Sequence, residues 1–290
     1  PLTADEWLTA LQTYDAICPC VADKFNPDTS SVTQIKTRLI ANYGVGYNHI
    51  NLEAARSLGI TVTNTPDVLT DATADLAMTL MLMIARRAGE GERQLRSGTW
   101  HGWYPTHLMG SMVTGATLGV VGMGRIGQAM ARKAHYGFGM SILYHNRRPS
   151  ADPEVGNMQA GFCADVDELL AKSDFVAIHC PGGKDTFHLF NDERFAAMQP
   201  HAYLINTSRG DVVDEAALSR ALDKGLIAGA ALDVYEREPT VSEALLGREN
   251  VVLLPHLGSA TLPTRTAMGM KVKHNLDAWF SGNPVPDKVV

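Results

Sequence analysis

The sequence of 290 residues lacks the features that mark several large protein classes. It has four cysteines, Cys18, Cys20, Cys163 and Cys180, and none forms a C-x-x-C pair. This argues against a disulfide framework and indicates a reducing, cytoplasmic setting. Its most apolar stretch, 76–84, is far shorter than the roughly 18–20 uncharged residues of a membrane span. No basic segment followed by an apolar one opens the sequence, so we expect no signal peptide.

Positive charge is also scarce. The sequence has 25 Lys and Arg against 31 Asp and Glu, a formal net charge of −6. Binding a polyphosphate or an anionic membrane needs a concentrated basic surface, so we expect neither nucleic acid nor membrane as a partner. The sequence has no H-E-x-x-H motif, no paired Cys/His spacing and no G-x-S-x-G motif. It therefore predicts no metal site and no serine hydrolase.

Short apolar runs alternate with helical patterns along the chain. At 45% hydrophobic and 19% charged residues, the chain is long enough to bury two cores. Runs rich in β-branched residues are typical of strands buried on both faces of a parallel sheet, which predicts an α/β fold. The runs lie at 16–18, 39–41, 60–62, 117–121, 141–144, 175–179, 202–206, 228–233 and 251–254.

Two helical segments set the expected domain organisation. The spacing of apolar residues predicts one long helix over 71–96, whose apolar face suits core packing and a subunit interface equally well. A second helix over 264–280 is expected to return to the first domain. We therefore expect a nucleotide-binding domain at 77–262 inserted into a smaller domain made of 1–76 and 263–290.

A glycine-rich turn follows the apolar run 117–121. It reads Gly122-Met123-Gly124-Arg125-Ile126-Gly127, a G-x-G-x-x-G motif between a strand and a helix. In a dinucleotide site, the first glycine permits the tight turn, the second lets the backbone approach the pyrophosphate, and the third lets helix and strand pack closely. The helix N-terminus then faces the negative charge. The alternative is a glycine-rich turn without a ligand.

The end of the next strand indicates which dinucleotide is bound. NAD sites usually place an Asp or Glu there for the ribose hydroxyl. Here the strand runs into His145-Asn146-Arg147-Arg148, without a carboxylate. Arginine binds phosphate through two parallel charge-assisted hydrogen bonds, so the sequence favours NADP(H). The alternative is that Arg147 and Arg148 are solvated loop residues.

Polar residues follow three later strands, at 206–210, 233–239 and 255–259. Ligands of a doubly wound sheet collect at the carboxyl ends of its strands, so we expect these residues to converge. Together with the glycine turn, they predict a Rossmann-type doubly wound parallel sheet.

At these residues the sequence resembles the D-isomer-specific 2-hydroxyacid dehydrogenases, over nearly the whole chain. Within that family it is most similar to the glyoxylate/hydroxypyruvate reductases, through the segment 97–105 ahead of the glycine turn. The resemblance implies a second, smaller flavodoxin-like α/β substrate domain. It also implies reduction of a small 2-oxo acid to the D-2-hydroxy acid with NADPH. The matching motifs are the glycine turn and residues 42–48, 73–77, 205–210, 231–236 and 255–256.

The resemblance implies roles that agree with the chemistry of the residue types. Arg209 would bind the substrate carboxylate and polarise its carbonyl. His256 would give a proton to the oxygen, and Glu238 would hold the imidazole and stabilise its protonated form. The backbone amides of Val45 and Gly46 would cradle the substrate carboxylate. The implied cofactor contacts are Thr73, Gly122, Gly124, Arg125, Ile126, Gly127, Asn146, Arg147, Arg148, Cys180, Pro181, Thr207, Asp233 and Gly258.

Each proposed catalytic residue also has a purely structural interpretation. Arg209 could pair with Asp211 at the surface, Glu238 could be a solvated loop carboxylate, and His256 could be a packed histidine. Two alternatives for the whole chain are a reductase of a bulkier 2-oxo acid such as phenylpyruvate, and a nucleotide-sensing co-repressor on the same fold. Retention of all three residues disfavours the co-repressor.

The sequence departs from the family pattern at two places. Asn48-His49-Ile50-Asn51 stands where Asp-Asn-Ile-Asp is usual, and Asp75 stands where Glu is more common. The resemblance also implies one more strand in the substrate domain, so we expect this sequence to begin after that strand. We expect a homodimer formed through the region 71–105, with Trp100, Trp103 and Tyr104 at the pocket or at the subunit contact.

Overall fold

The computed structural model describes residues 1–27 and 34–290. The chain forms two compact units, unit 1 from Pro1–Leu69 and Ser259–Val290, and unit 2 from Thr70–Gly258. Unit 2 is thus an insertion in the chain of unit 1. The bounds expected from the sequence, 77–262, lie a few residues further along at both ends. A boundary at 76/77 would divide a helix of unit 2 that begins at Thr70 and buries one face as a whole.

Unit 2 is built on a seven-stranded, all-parallel sheet. Its order is β10-β9-β8-β7-β4-β5-β6, so the strand order reverses between β4 and β7, as in a Rossmann fold. The strands are β4 (Thr117–Val121), β5 (Ser141–His145), β6 (Gly161–Phe162), β7 (Phe175–Ile178), β8 (Tyr203–Asn206), β9 (Gly229–Leu232) and β10 (Val251–Leu253). The predicted α/β class is confirmed. β6 was not predicted, because it has only two residues and begins with glycine.

Helices cover both faces of this sheet and bury two apolar clusters. Leu118 and Val120 of β4 belong to one cluster and Val121 to the other, because successive side chains of a strand point to opposite faces. The helices are α3 (Thr70–Ala85), α4 (Ala88–Arg96), α5 (Arg125–Phe138), α6 (Pro153–Asn157), α7 (Val166–Leu170), α8 (Asp192–Ala197), α9 (Glu215–Asp223) and α10 (Glu243–Leu246).

The prediction of a single helix over 71–96 is wrong, since the structure has two helices there. Arg87 adopts a left-handed backbone with φ of 50°, which ends the run of helical hydrogen bonds between α3 and α4. α3 buries half of its residues, whereas α4 buries none. The apolar pattern therefore describes α3, and the charged continuation is a separate surface helix.

Unit 1 is a smaller α/β unit with a three-stranded parallel sheet of order β1-β2-β3. Trp7 and Phe25 stack edge to face in its core, at 5.0 Å between ring centroids. The return segment supplies Val272, which packs against Leu39 and Ala41. The elements are α1 (Ala4–Thr13), β1 (Ala16–Ile17), β2 (Leu39–Ala41), α2 (Leu52–Ser57), β3 (Thr61–Thr63) and α11 (Leu262–Phe280). Among residues 1–27 and 34–290, no helix is long and apolar enough to cross a membrane.

Candidate functional site

The glycine turn joins β4 to α5 at the carboxyl edge of the sheet in unit 2. Gly122 has φ of 102°, and a Cβ there would lie 2.7 Å from the carbonyl carbon of His179. A Cβ on Gly127 would lie 3.0 Å from Cγ1 of Val120. At Gly124, the N-cap of α5, a Cβ would meet nothing within 4 Å. Two glycines are thus required by the fold, while the middle one leaves open space beside the helix N-terminus.

The remaining motif positions begin the helix. Arg125 is the first residue of α5 and is exposed, and Ile126 is half-buried. No acidic side chain lies in the first turn of α5. The partial positive charge of this helix end is therefore not offset by a neighbouring carboxylate of the same turn, which suits an anionic ligand.

The segment after β5 contacts the glycine turn. Asn146 accepts a hydrogen bond from the backbone N–H of Met123 through Oδ1, at 2.8 Å. Its side chain therefore holds the turn, a role that the motif alone does not reveal. Arg147 and Arg148 are exposed, and neither pairs with an acidic side chain within 1–27 and 34–290. Both guanidinium groups are available to an anion.

The end of β7 lies against the glycine turn and carries no charge. The nearest atom to a Cβ on Gly122 is the backbone nitrogen of Cys180. Burial raises the pKa of the Cys180 thiol to about 12 and lowers the pKa of His179 to about 4. Both groups are neutral at pH 7. Pro181, predicted as a cofactor contact, is exposed at the start of the following loop.

The loop after β8 positions Arg209. Asn206 is buried, donates to the carbonyl oxygen of Arg209 at 2.9 Å, and accepts from the backbone N–H of Ser208 at 3.0 Å. Gly210 has no room for a Cβ because it lies against the backbone of Tyr235. These contacts fix the direction in which the Arg209 side chain leaves the backbone.

Two polar side chains of this loop are suited to a ligand. The guanidinium of Arg209 donates to the carbonyl oxygen of Ser208 at 2.6 Å, and burial lowers its pKa. It remains charged, since arginine does not lose its proton in proteins. The hydroxyl of Thr207 is buried and has no hydrogen-bond partner in the described chain. A buried hydroxyl without a partner is costly, so Thr207 fits a contact with a bound molecule.

Glu238 and His256 form a close pair. Nδ1 of His256 lies 2.8 Å from Oε2 of Glu238, and both side chains are 33% exposed. The other carboxylate oxygen accepts from the backbone N–H of Tyr235 at 3.1 Å. Burial raises the pKa of Glu238, but the hydrogen bond to His256 and the nearby charges of His256 and Arg209 outweigh it and hold that pKa below its usual value. The structure therefore brings Arg209, Glu238 and His256 together.

Three further predicted contacts lie beside this pair. Asp233 follows β9, is buried, and accepts from the backbone N–H groups of Leu257 and Gly258. Thr73 of α3 donates through its hydroxyl to the carbonyl oxygen of Gly258 at 3.3 Å. The first turn of α3, the end of β9 and the loop after β10 thus meet within unit 2.

Val45 and Gly46 lie in unit 1, in the loop after β2. The carbonyl oxygens of this loop are occupied: Asn64 donates to Val45 at 2.9 Å, and Asn42 donates to Gly46 at 3.1 Å. The backbone N–H groups of Val45 and Gly46 donate to no acceptor of the described chain. Such a pair of free amides fits an anion, as the family resemblance implies. Sequence reasoning missed Asn42 and Asn64, whose only signal was their position beside the loop.

The departures from the family pattern have structural roles. His49 lies 3.0 Å from the side-chain oxygen of Asn42, and Asn51 caps α2 by accepting from Ala54. Asp75 is exposed and pairs with Lys133 of α5 at 3.3 Å. In the described part of the chain, no group of three or more His, Cys, Asp or Glu side chains is arranged to hold a metal ion.

The chain is similar to known proteins in sequence and in fold. The profile of the D-isomer specific 2-hydroxyacid dehydrogenase, NAD binding domain, matches residues 78–258. The chain is 46% identical over 288 residues to a glyoxylate reductase of Thermococcus litoralis, which covers 97% of this chain and 85% of that protein. A crystal structure of a glyoxylate reductase from Paecilomyes thermophila matches with a TM-score of 0.88 and 33% identity, over 99% of this chain and 88% of that one. An NADPH-dependent glyoxylate/hydroxypyruvate reductase from Sinorhizobium meliloti, in complex with NADP and malonate, matches with a TM-score of 0.87 and 38% identity, over 100% and 86%.

The chain belongs to the D-isomer-specific 2-hydroxyacid dehydrogenase family, which confirms the resemblance seen in the sequence. It is an oxidoreductase of 2-oxo and 2-hydroxy acids that uses a nicotinamide dinucleotide. Within the family, it is of the glyoxylate reductase type.

The middle glycine of the turn allows ligand contact to be separated from folding. We expect Gly124→Ala to leave the melting temperature within about 2 °C, because the new methyl group meets open space in the protein. The same methyl group would separate the protein backbone from the pyrophosphate of the dinucleotide. The dissociation constant for NADPH should therefore rise about 10-fold or more. Fluorescence titration and thermal unfolding measure the two effects. Gly156→Ala, also in open space but on α6, is the matched control, and equal affinities for both variants would contradict this role of Gly124.

Proposed function

We propose that the protein reduces glyoxylate or hydroxypyruvate to the D-2-hydroxy acid with NADPH. The observation that carries the proposal is the convergence of Arg209, Glu238 and His256 at the edge of the sheet that also bears the glycine turn. A cation and a proton donor held by a carboxylate are what reduction of a 2-oxo acid requires. Relatives of the glyoxylate reductase type support the choice of a small substrate.

Arg209 is assigned to substrate binding. Its loop is fixed by Asn206 and its guanidinium donates to the carbonyl oxygen of Ser208, so the group is held in place before the substrate arrives. Its planar donors match a carboxylate, and its charge draws electron density from the neighbouring carbonyl. The free amides of Val45 and Gly46 are assigned to a substrate carboxylate, as the family resemblance implies. Binding thus uses charge and directed donors, which suits a substrate too small to offer much apolar surface.

His256 is assigned as the proton donor to the substrate oxygen. Bound NADPH supplies the hydride to the C2 carbon. The carboxylate of Glu238 stays ionised because its pKa is held below the usual value, and its negative charge stabilises the protonated imidazole. The hydrogen bond from Nδ1 to Glu238 leaves Nε2 of His256 to deliver the proton. Donation at Nε2 keeps the resulting neutral ring hydrogen-bonded to Glu238.

Arg147 and Arg148 are assigned to the 2′-phosphate of NADPH. Both are exposed beside the glycine turn, with no acidic partner in the described chain and no carboxylate in the segment 145–148. A carboxylate at this strand end would select NAD by binding the ribose hydroxyls and repelling a phosphate. A structural relative at 38% identity, the Sinorhizobium meliloti reductase, is NADPH-dependent, which supports the assignment.

A homodimer through the region 71–105 is part of the proposal. The end of that region and the residues just after it, 95–112, expose six large apolar side chains, and exposed apolar surface on this scale is typical of an interaction site. Trp103 is 82% exposed and Met112 is 80% exposed. A second copy of the chain is the natural partner because most soluble oligomers are symmetric homo-oligomers. The six side chains are those of Leu95, Trp100, Trp103, Tyr104, Met109 and Met112.

Replacing the proton donor should abolish turnover and spare cofactor binding. We expect His256→Gln to lower kcat with glyoxylate by about 100- to 10,000-fold, because the proton donor is lost. NADPH affinity should change by less than about 3-fold. The matched control is His201→Gln, since His201 pairs with Asp174 at 2.8 Å but at the opposite edge of the sheet. Steady-state assays with glyoxylate, hydroxypyruvate and phenylpyruvate serve as the measurement, and near-normal turnover of His256→Gln would refute the assignment.

Cofactor preference should depend on the two arginines. The double variant Arg147→Ala, Arg148→Ala is expected to raise KM for NADPH about 10- to 100-fold, the range of a lost charge-assisted hydrogen bond. KM for NADH should change by less than about 3-fold. Arg220→Ala, which removes an exposed arginine paired with Asp192, controls for a general loss of positive charge. Equal changes for both cofactors would show that these arginines do not read the phosphate.

The exposed apolar segment predicts the oligomeric state. We expect the wild-type chain to be a dimer by light scattering at micromolar concentration. The double variant Trp103→Ser, Met112→Ser should be a folded monomer, because it removes the two most exposed apolar side chains of the segment. Tyr14→Ser, at an exposed tyrosine of unit 1, should leave the dimer intact. A monomeric wild-type chain would refute the proposed dimer.

A further inference from the structure

The turn that carries His256 has an unusual backbone. His256 has φ of +54°, in the left-handed region that residues other than glycine seldom adopt. Such a conformation persists only where surrounding contacts impose it. Histidine visits this region more often than most residues, but it is still uncommon there. In this structure the supporting contacts come from another segment.

Asp233 makes those contacts. Its two carboxylate oxygens accept from the backbone N–H of Leu257 at 2.6 Å and of Gly258 at 2.8 Å. Its backbone carbonyl oxygen accepts from the N–H of His256 at 2.9 Å. Three successive backbone N–H groups thus converge on one residue, which is only 1% exposed. Successive amides around a negative group form a stable concave anion site, here filled by the protein's own carboxylate.

The carboxylate is uniquely suited to this arrangement. Each of its oxygens accepts, so it satisfies two backbone donors at once. An asparagine would satisfy one of them and would direct its own N–H group toward the other. Burial raises the pKa of Asp233, whereas the two backbone N–H donors and the charge of His256 lower it. Burying the charged carboxylate of Asp233 costs free energy. The backbone N–H groups of the turn offset part of that cost.

A second contact holds the same turn from the other side. The hydroxyl of Tyr235 donates to the carbonyl oxygen of Leu254 at 2.7 Å, and the backbone N–H of Tyr235 donates to Glu238. The segment after β9 thus holds Leu254 before His256, the backbone of the turn after it, and the carboxylate of Glu238 that pairs with its ring.

We propose that Asp233 is a positioning residue for His256: its carboxylate sets the left-handed turn that points the imidazole at Glu238 and at the substrate oxygen. The inference rests on the proposed role of His256 as proton donor. It is an alternative to the cofactor contact that the family resemblance implies for Asp233, since both carboxylate oxygens already accept backbone N–H groups. The two roles make different predictions, because a positioning residue acts only through His256.

A double-mutant cycle separates the two roles. Asp233→Asn is expected to lower kcat with glyoxylate about 10- to 100-fold, the range set by a hydrogen bond to a charged group. The dissociation constant for NADPH should change by less than about 3-fold. In the His256→Gln background, Asp233→Asn should cause no further loss of kcat, because its effect passes through the imidazole. Asp214→Asn, at a carboxylate that accepts the backbone N–H of Ala217 to cap α9, should leave kcat within about 2-fold.

Other outcomes overturn the inference. A further loss in the His256→Gln background, or a weaker NADPH complex that accounts for the lower kcat, would show that Asp233 acts on the dinucleotide directly. An unchanged kcat would show that the turn holds without the carboxylate. Failure of the proposed function has a different signature, which is normal turnover in the single variant His256→Gln.

A second variant keeps the test valid if Asp233→Asn does not fold. Tyr235→Phe removes the other hold on the turn and should lower kcat about 3- to 10-fold at unchanged NADPH affinity, a net loss of one neutral hydrogen bond. This loss should also vanish in the His256→Gln background. A loss that persists there would refute a role through His256.

Discussion

The parallel direction of all seven strands in unit 2 is the constraint on which the rest of the structure depends. Because the strands run the same way, every loop that leaves a carboxyl end reaches the same edge of the sheet. Gly122, Arg209, Glu238 and His256 follow β4, β8, β9 and β10, and they would be scattered in any sheet of mixed direction. Helices on both faces bury the strands, so this edge is where polar side chains remain accessible.

Charged groups at this edge stabilise one another. Placing the Arg209 guanidinium and the Glu238 carboxylate where water is partly excluded is costly, and the cost falls because each lies in the field of the other. The imidazole of His256 shares the same carboxylate. The three groups therefore form one electrostatic unit, and removing the carboxylate would take away the negative charge that both basic groups share.

The sequence predicted the fold better than it predicted the local geometry. Buried parallel strands are apolar on both faces, so they appear in the sequence as continuous apolar runs. The roles of Gly122 and Gly127 could also be predicted, because any strand-turn-helix motif of this kind imposes the same close contacts. The break at Arg87 was missed because an apolar period does not record where a single residue leaves the helical region. The contact of Asn146 with Met123 and the carboxylate-filled turn at Asp233 were also missed. Both depend on tertiary hydrogen bonds, of 2.8 Å at Asn146 and 2.6 Å at Asp233, which residue type and spacing do not encode.

The insertion of unit 2 into the chain of unit 1 has a consequence for biosynthesis. The sheet of unit 1 is completed by segments from both sides of the insertion, since the backbone N–H of Val289 donates to the carbonyl oxygen of Val62 at 2.8 Å. On the ribosome, Val62 emerges long before Val289, while unit 2 appears as one uninterrupted stretch. Domains usually fold as units during translation, so unit 2 should reach its native state first. The earlier part of unit 1 cannot complete its fold until the return segment has been synthesised. Until Val272 of the return segment emerges, Leu39 and Ala41 of the early segment lack their apolar cover, and such a surface on a nascent chain is one that a chaperone would bind.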